Sequence, residues 1–101
     1  MRRFFKKNKF LKQVRELALT WVHPDQADIF LFGSWAKGSQ KKHSDIDLAI
    51  LPKKPLSADL LPKLREAFEE SRVPYRVEVV DLSSTDAGFR KTVEQRGILW
   101  T

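Results

Sequence analysis

Residues 45–51 read DIDLAIL, two acids two positions apart at the head of a run that is otherwise apolar. In an extended chain successive side chains leave opposite faces, so Asp45 and Asp47 share one face while Ile46 and Leu48 take the other. The alternation then gives way to four apolar residues, Leu48 to Leu51, the pattern of a strand covered on both sides. The segment therefore reads as a central strand with one functional end. Its register is tightly specified, because a slip of one residue would bury both acids.

The rest of the chain supplies partners for such a strand. Phe10, Leu11, Val14, Leu17, Ala18, Trp21 and Val22 recur at helical spacing over residues 10–22. His23-Pro24-Asp25 stops that helix, since proline disfavours helical geometry in the residue before it. Asp28 to Phe32 is an apolar run of strand length that ends at Gly33. The stretch from Ser34 to Ser44 is too short and too charged to form a core element. Pro52 to Pro55 is a loop. A second amphipathic helix runs from Ser57 to about Arg72, with Leu60, Leu61, Leu64, Ala67 and Phe68 on its buried stripe. Arg76 to Leu82 is a third strand. Thr85 or Asp86 caps a third helix carrying Phe89 and Val93, Gly97 suits its stop, and Ile98 to Trp100 closes as a short edge strand. This order predicts an α/β fold, a small mixed sheet with helices packed on it. Trp21, Phe30, Phe32, Phe68 and Trp100 are expected in its core.

Length and composition narrow the function classes. The 101 residues suit a single domain spanning 1–101, with residues 1–9 as a basic arm. That size leaves no room for a separate recognition domain, so a large acceptor is expected to arrive as another molecule. The absence of cysteine excludes disulfides and thiolate metal sites, and fits a reducing, cytoplasmic setting. No apolar run approaches the ~20 residues that a membrane span requires, and no signal peptide follows the basic start. The net charge is +6, with Arg2, Arg3, Lys6, Lys7 and Lys9 crowded at the beginning. Such a cluster attracts nucleic acid or an acidic surface, but no nucleic-acid-binding motif accompanies it, and the favoured reading is a solvated arm.

The chemistry concentrates between Leu31 and Leu48, LFGSWAKGSQKKHSDIDL. Gly33 permits a sharp turn and the approach of a phosphate that would otherwise meet a Cβ. If residues 34–38 open a helical turn, their free amides point at the same spot and favour an anion there. The Ser34 hydroxyl adds a donor. Lys37 is either a phosphate contact or a plain surface lysine. Two carboxylates as close as Asp45 and Asp47 repel each other unless a cation joins them. Mg²⁺ suits them, because it takes hard oxygen ligands together with substrate phosphates. Glu78, on a strand able to neighbour the first, is the third acid expected to complete a two-metal site and to draw the proton from an attacking hydroxyl. The competing reading of Glu78 is an exposed strand residue paired with Arg76 or Lys37. Asp81 is the fallback acid, although alternation sends it to the opposite face. His43 reads as a surface loop residue, His23 as a helix end, and Trp35 as packing against the sheet rather than stacking on a base.

Gly33-Ser34, the ten-residue gap, Asp45-Ile46-Asp47 and a later strand acid resemble the nucleotidyltransferase superfamily typified by DNA polymerase β. The short chain and the tail FRKTVEQRGILW resemble its minimal nucleotidyltransferases, from about Asp28 to Thr101. The resemblance implies transfer of AMP from ATP, with two Mg²⁺ ions, onto a hydroxyl of a partner protein. It also implies that the partner is a HEPN-type toxin for which this chain is the antitoxin, the two forming a hetero-oligomer. Two departures stand out: Trp35 occupies a position that is often arginine, and Glu78 one that is commonly aspartate. They motivate the alternative of a non-catalytic antitoxin that neutralises its toxin by binding. A small-molecule nucleotidyltransferase fits less well, since such enzymes resemble this core with a substantial second domain added.

Overall fold

The computed structural model describes residues 9–101; the expected basic arm lies outside the described residues except for Lys9, which opens the first helix. The chain runs α1 (Lys9–Trp21), β1 (Ala27–Phe32), α2 (Gly33–Lys37), β2 (Ile46–Pro52), α3 (Leu60–Glu70), β3 (Val77–Asp81), a 3₁₀ turn (Leu82–Ser84), α4 (Ala87–Arg96) and β4 (Ile98–Leu99). The four strands form one sheet in the order β3-β2-β1-β4. Strand β1 is antiparallel to both β2 and β4, whereas β2 and β3 are parallel, so the sheet is mixed as expected.

The alternation in β2 decides which layer each helix joins. Ile46, Leu48 and Ile50 are fully buried in the larger core, together with Leu11, Val14 and Ala18 of α1 and Leu61, Leu64 and Phe68 of α3. Ala49 faces the other way, into a smaller core with Phe30, Leu82 and Val93, flanked by Phe32, Leu51 and Phe89. One face therefore carries α1 and α3, and the other carries α4. The smaller layer covers only part of its face. The polar end of β2 emerges on this thinly covered side.

Several element ends follow from single residues. Asp86 caps α4, its Oδ1 accepting from the Phe89 amide at 2.8 Å. Gly97 ends α4 in an ordinary extended conformation, not the left-handed one expected of a C-terminal glycine. It is small for another reason: a Cβ there would lie 2.6 Å from the Val93 carbonyl oxygen and 3.2 Å from that of Leu31. Arg15 of α1 donates to the Trp100 carbonyl at 2.9 Å, and the Trp100 amide donates to the Ile29 carbonyl at 2.8 Å, tying β4 down.

Two core expectations are corrected. Trp21 is 39% exposed. It closes the last turn of α1, beside the polar outer face of α3 at Lys63, Glu66 and Glu70, where no further layer covers it. Conversely, the polar stretch after β1 does contribute to the core, because Trp35 of α2 is only 2% exposed. Among the described residues, no helix is long and apolar enough to cross a membrane.

Candidate functional site

The two strands that converge on the acids set their spacing. Across the sheet Asp47 pairs with Phe32 on β1 and with Glu78 on β3. Residues paired in this way project to the same face, so Asp47 and Glu78 lie side by side. Asp45 immediately precedes β2, where the Ile46 amide donates to the Arg76 carbonyl at 2.9 Å.

The glycine turn closes over the same point. Gly33 follows Phe32 directly, with φ +74°, in the left-handed region that a side chain disfavours. A Cβ on it would lie 2.3 Å from Oδ2 of Asp47. The turn backbone and the acid are thus in direct contact, and the absence of a side chain is what makes room for both. No side chain caps the first turn of α2, and the helix ends at Gly38, with φ +73° and its amide bonded to the Ser34 carbonyl. Lys37 is exposed at the far end of α2 and makes no ion pair among the described residues.

Electrostatics follow from this convergence. Burial, then the charge of Asp45, then that of Glu78, raises the Asp47 carboxyl above its ordinary 3.8. Crowded oxygen donors of like charge suit a hard divalent cation, and Asp45 with Asp47 fit one as a pair. Glu78 is engaged elsewhere: its Oε1 meets Nη2 of Arg76 at 2.8 Å. Among the described residues, no three acids or histidines are gathered as a ready-made metal cage. Asp81 is used locally, accepting from the amide of Ser83 at 2.9 Å and from its hydroxyl at 2.6 Å. His43 is exposed in the loop before Asp45.

Trp35 packs, and it also does something that its sequence position did not disclose. Its Nε1–H donates to the Ser44 carbonyl at 3.0 Å, pinning the loop just ahead of Asp45. Its ring meets Tyr75 edge-on at 4.8 Å, and Tyr75 meets Phe10 of α1 at 5.7 Å. The only hint in the sequence is a large aromatic stranded in a polar stretch.

Volume alone does not locate the site. A groove of about 930 Å³ lies at the opposite end of β2 and β3, lined by Pro52, Lys54, Ser57 and Ser84 among others, and the one acid among its described lining residues is Asp81, already bonded to Ser83. A smaller hollow of about 330 Å³ borders Glu78 on the outer side of β3, with Phe68, Tyr75 and Arg76 in its wall.

A family model described as Polymerase beta, Nucleotidyltransferase matches residues 22–100. The chain belongs to this family. It is 42% identical over 67 residues to the Haemophilus influenzae protein named Probable protein adenylyltransferase MntA, a match covering 66% of this chain and 59% of that nucleotidyltransferase. It is 33% identical over 98 residues to Protein adenylyltransferase MntA of Shewanella oneidensis, covering 92% of this chain and 63% of the relative. The chain thus spans about three fifths of the length of these two relatives. Among solved structures, a toxin–antitoxin crystal structure with AMP-PNP shares the nucleotidyltransferase fold with a TM-score of 0.71 at 28% identity, over 89% of this chain and 71% of that one.

Proposed function

We propose that this chain is a Mg²⁺-dependent protein adenylyltransferase of the cytoplasm, working as a single domain, that moves AMP from ATP onto a hydroxyl of a HEPN-type toxin and so acts as its antitoxin. The observation that carries the reading is the contact between the Gly33 turn and Asp47, with Glu78 in register beside it. The names of the two relatives and the toxin–antitoxin neighbour support the choice of nucleotide and partner.

In this reading the turn at Gly33 and Ser34 receives the phosphates through backbone amides and the Ser34 hydroxyl, and Lys37 adds positive charge. Asp45 and Asp47 would hold the metal, with Glu78 as third ligand. When bound, the two ions stabilise the attacking and leaving oxygens of an in-line displacement at phosphorus. Glu78 takes the proton of the attacking hydroxyl, and the acceptor oxygen bonds to the α-phosphorus as pyrophosphate leaves. Ile46 and Leu48, locked into the core on the opposite face, keep the two aspartates from rotating out of line.

The Glu78–Arg76 ion pair, with tryptophan at position 35, supports a second reading: neutralisation by binding, without transfer. Intact mass spectrometry of the toxin partner after incubation with this chain, Mg²⁺ and ATP separates the two. One or more added AMP units, lost with Asp45→Asn, are expected for the enzyme. A stable complex without added mass would leave binding alone.

A further inference from the structure

Arg76 stands at a junction between the acids. Its carbonyl accepts the Ile46 amide at 2.9 Å, which sets it one step before the Ile46–Val77 pair and therefore alongside Asp45. Strand alternation sends its side chain to the face of Asp47 and Glu78. There its guanidinium binds the Glu78 carboxylate at 2.8 Å. The two side chains are 74% and 41% exposed, and an ion pair this open adds little to folding stability. It is easily exchanged, and it occupies the one member of the acid set that does not stand ready with the aspartate pair.

We infer that Arg76 is a tethered counter-charge for the acid set, holding Glu78 while no metal is bound and yielding it when a divalent cation binds at Asp45 and Asp47. This rests on the reading of these acids as metal ligands. Guanidinium and metal compete for one carboxylate, so Arg76 weakens metal binding in the absence of nucleotide and sets the concentration at which the full acid set assembles. It is a positioning residue, acting through Glu78.

The test is Mn²⁺ binding to the full chain without nucleotide, followed by electron paramagnetic resonance of the free ion, for the wild type and for Arg76→Gln, Arg76→Lys and Asp45→Asn. Removing one positive charge some ~6–10 Å from a divalent ion, in water-like screening, is worth roughly four- to tenfold in affinity. Arg76→Gln is expected to bind Mn²⁺ tighter by that factor, and Arg76→Lys to return close to the wild type. Asp45→Asn is expected to weaken binding. No tightening with Arg76→Gln, while Asp45→Asn still weakens binding, overturns the inference and leaves the metal-site reading intact. Binding indifferent to Asp45→Asn overturns both.

Discussion

Gly33 and Gly38 form a matched pair of perturbations. Their φ angles, +74° and +73°, are nearly the same, so alanine at either position carries a similar backbone penalty of about 1–2 kcal/mol. What the new methyl group meets is different. At Gly38 nothing lies within 4 Å, whereas at Gly33 it would lie 2.3 Å from Oδ2 and 3.2 Å from Cγ of Asp47. That is about 1 Å inside an ordinary contact distance, so Asp47 must swing aside or the turn must shift. A misplacement of about 1 Å at a reacting centre costs on the order of 100-fold in rate. Both variants are therefore expected to melt lower, by about 4–8 °C for each kcal/mol lost in a domain of this size. Only Gly33→Ala is expected to lose transfer, by roughly 100-fold, measured as pyrophosphate release well below the melting temperature. Equal losses of activity in the two variants, or full activity in Gly33→Ala, would refute the argument that this contact organises the site.

Other outcomes can be stated more briefly. Asp47→Asn should abolish transfer while raising the melting temperature, because it removes a partly buried carboxylate that Asp45 and Glu78 both repel. The sign follows from the raised carboxyl: the folded state binds the proton more tightly than the unfolded chain, so the penalty is absent below the ordinary 3.8 and grows as pH rises through the folded value. Melting curves of the two proteins should therefore converge on acidification, and a gap independent of pH would contradict this cause. Trp35→Phe removes the donor to the Ser44 carbonyl, worth about 0.5–1.5 kcal/mol, and adds the packing lost where the smaller ring leaves space in the core, with faster hydrogen exchange at the Ile46 amide; unchanged exchange would show that the bond does not hold the loop. Leu48→Ala, fully buried behind the acids, should cost about 2–5 kcal/mol by denaturant titration, and a cost under 1 kcal/mol (roughly, on the same scale) would mean that the core is not packed as described.

The sheet was legible because its signals are local. Alternation in residues 45–51 gave the faces of β2, and Asp86 and Gly97 marked the ends of α4 within a residue or two. The side-by-side placement of Asp47 and Glu78 could be foreseen only as an option, since it depends on β2 and β3 being parallel and in register, a long-range fact. Trp21 missed its expected place in the core, whereas Trp35 packs as expected, although the charged stretch around it argued against a core element. Periodicity assigns a helix face, but whether a layer lies over that face depends on elements distant in sequence. Trp21 ends up past the edge of the covered region, while five residues after β1 fold back far enough to sink Trp35 against β2 and Tyr75. The Arg76–Glu78 pair was visible as an alternative because i and i+2 on a strand always share a face. Which partner Glu78 takes is a matter of small energies that no sequence pattern encodes.

The two borders of the sheet have a consequence for assembly. On one side, Arg65 of α3 reaches over and donates to the Val79 carbonyl at 2.9 Å, using an acceptor on β3. On the other, β4 is only two residues long, and the next carbonyl, that of Trp100, is taken by Arg15. An open border invites another chain to add a strand, in productive complexes and in aggregates alike. On the β3 border a helix arginine thus occupies one carbonyl, while Trp100, whose amide turns inward to Ile29 of β1, does not present its backbone to the β4 border. A chain adding a strand along β3 would have to displace Arg65 from the Val79 carbonyl.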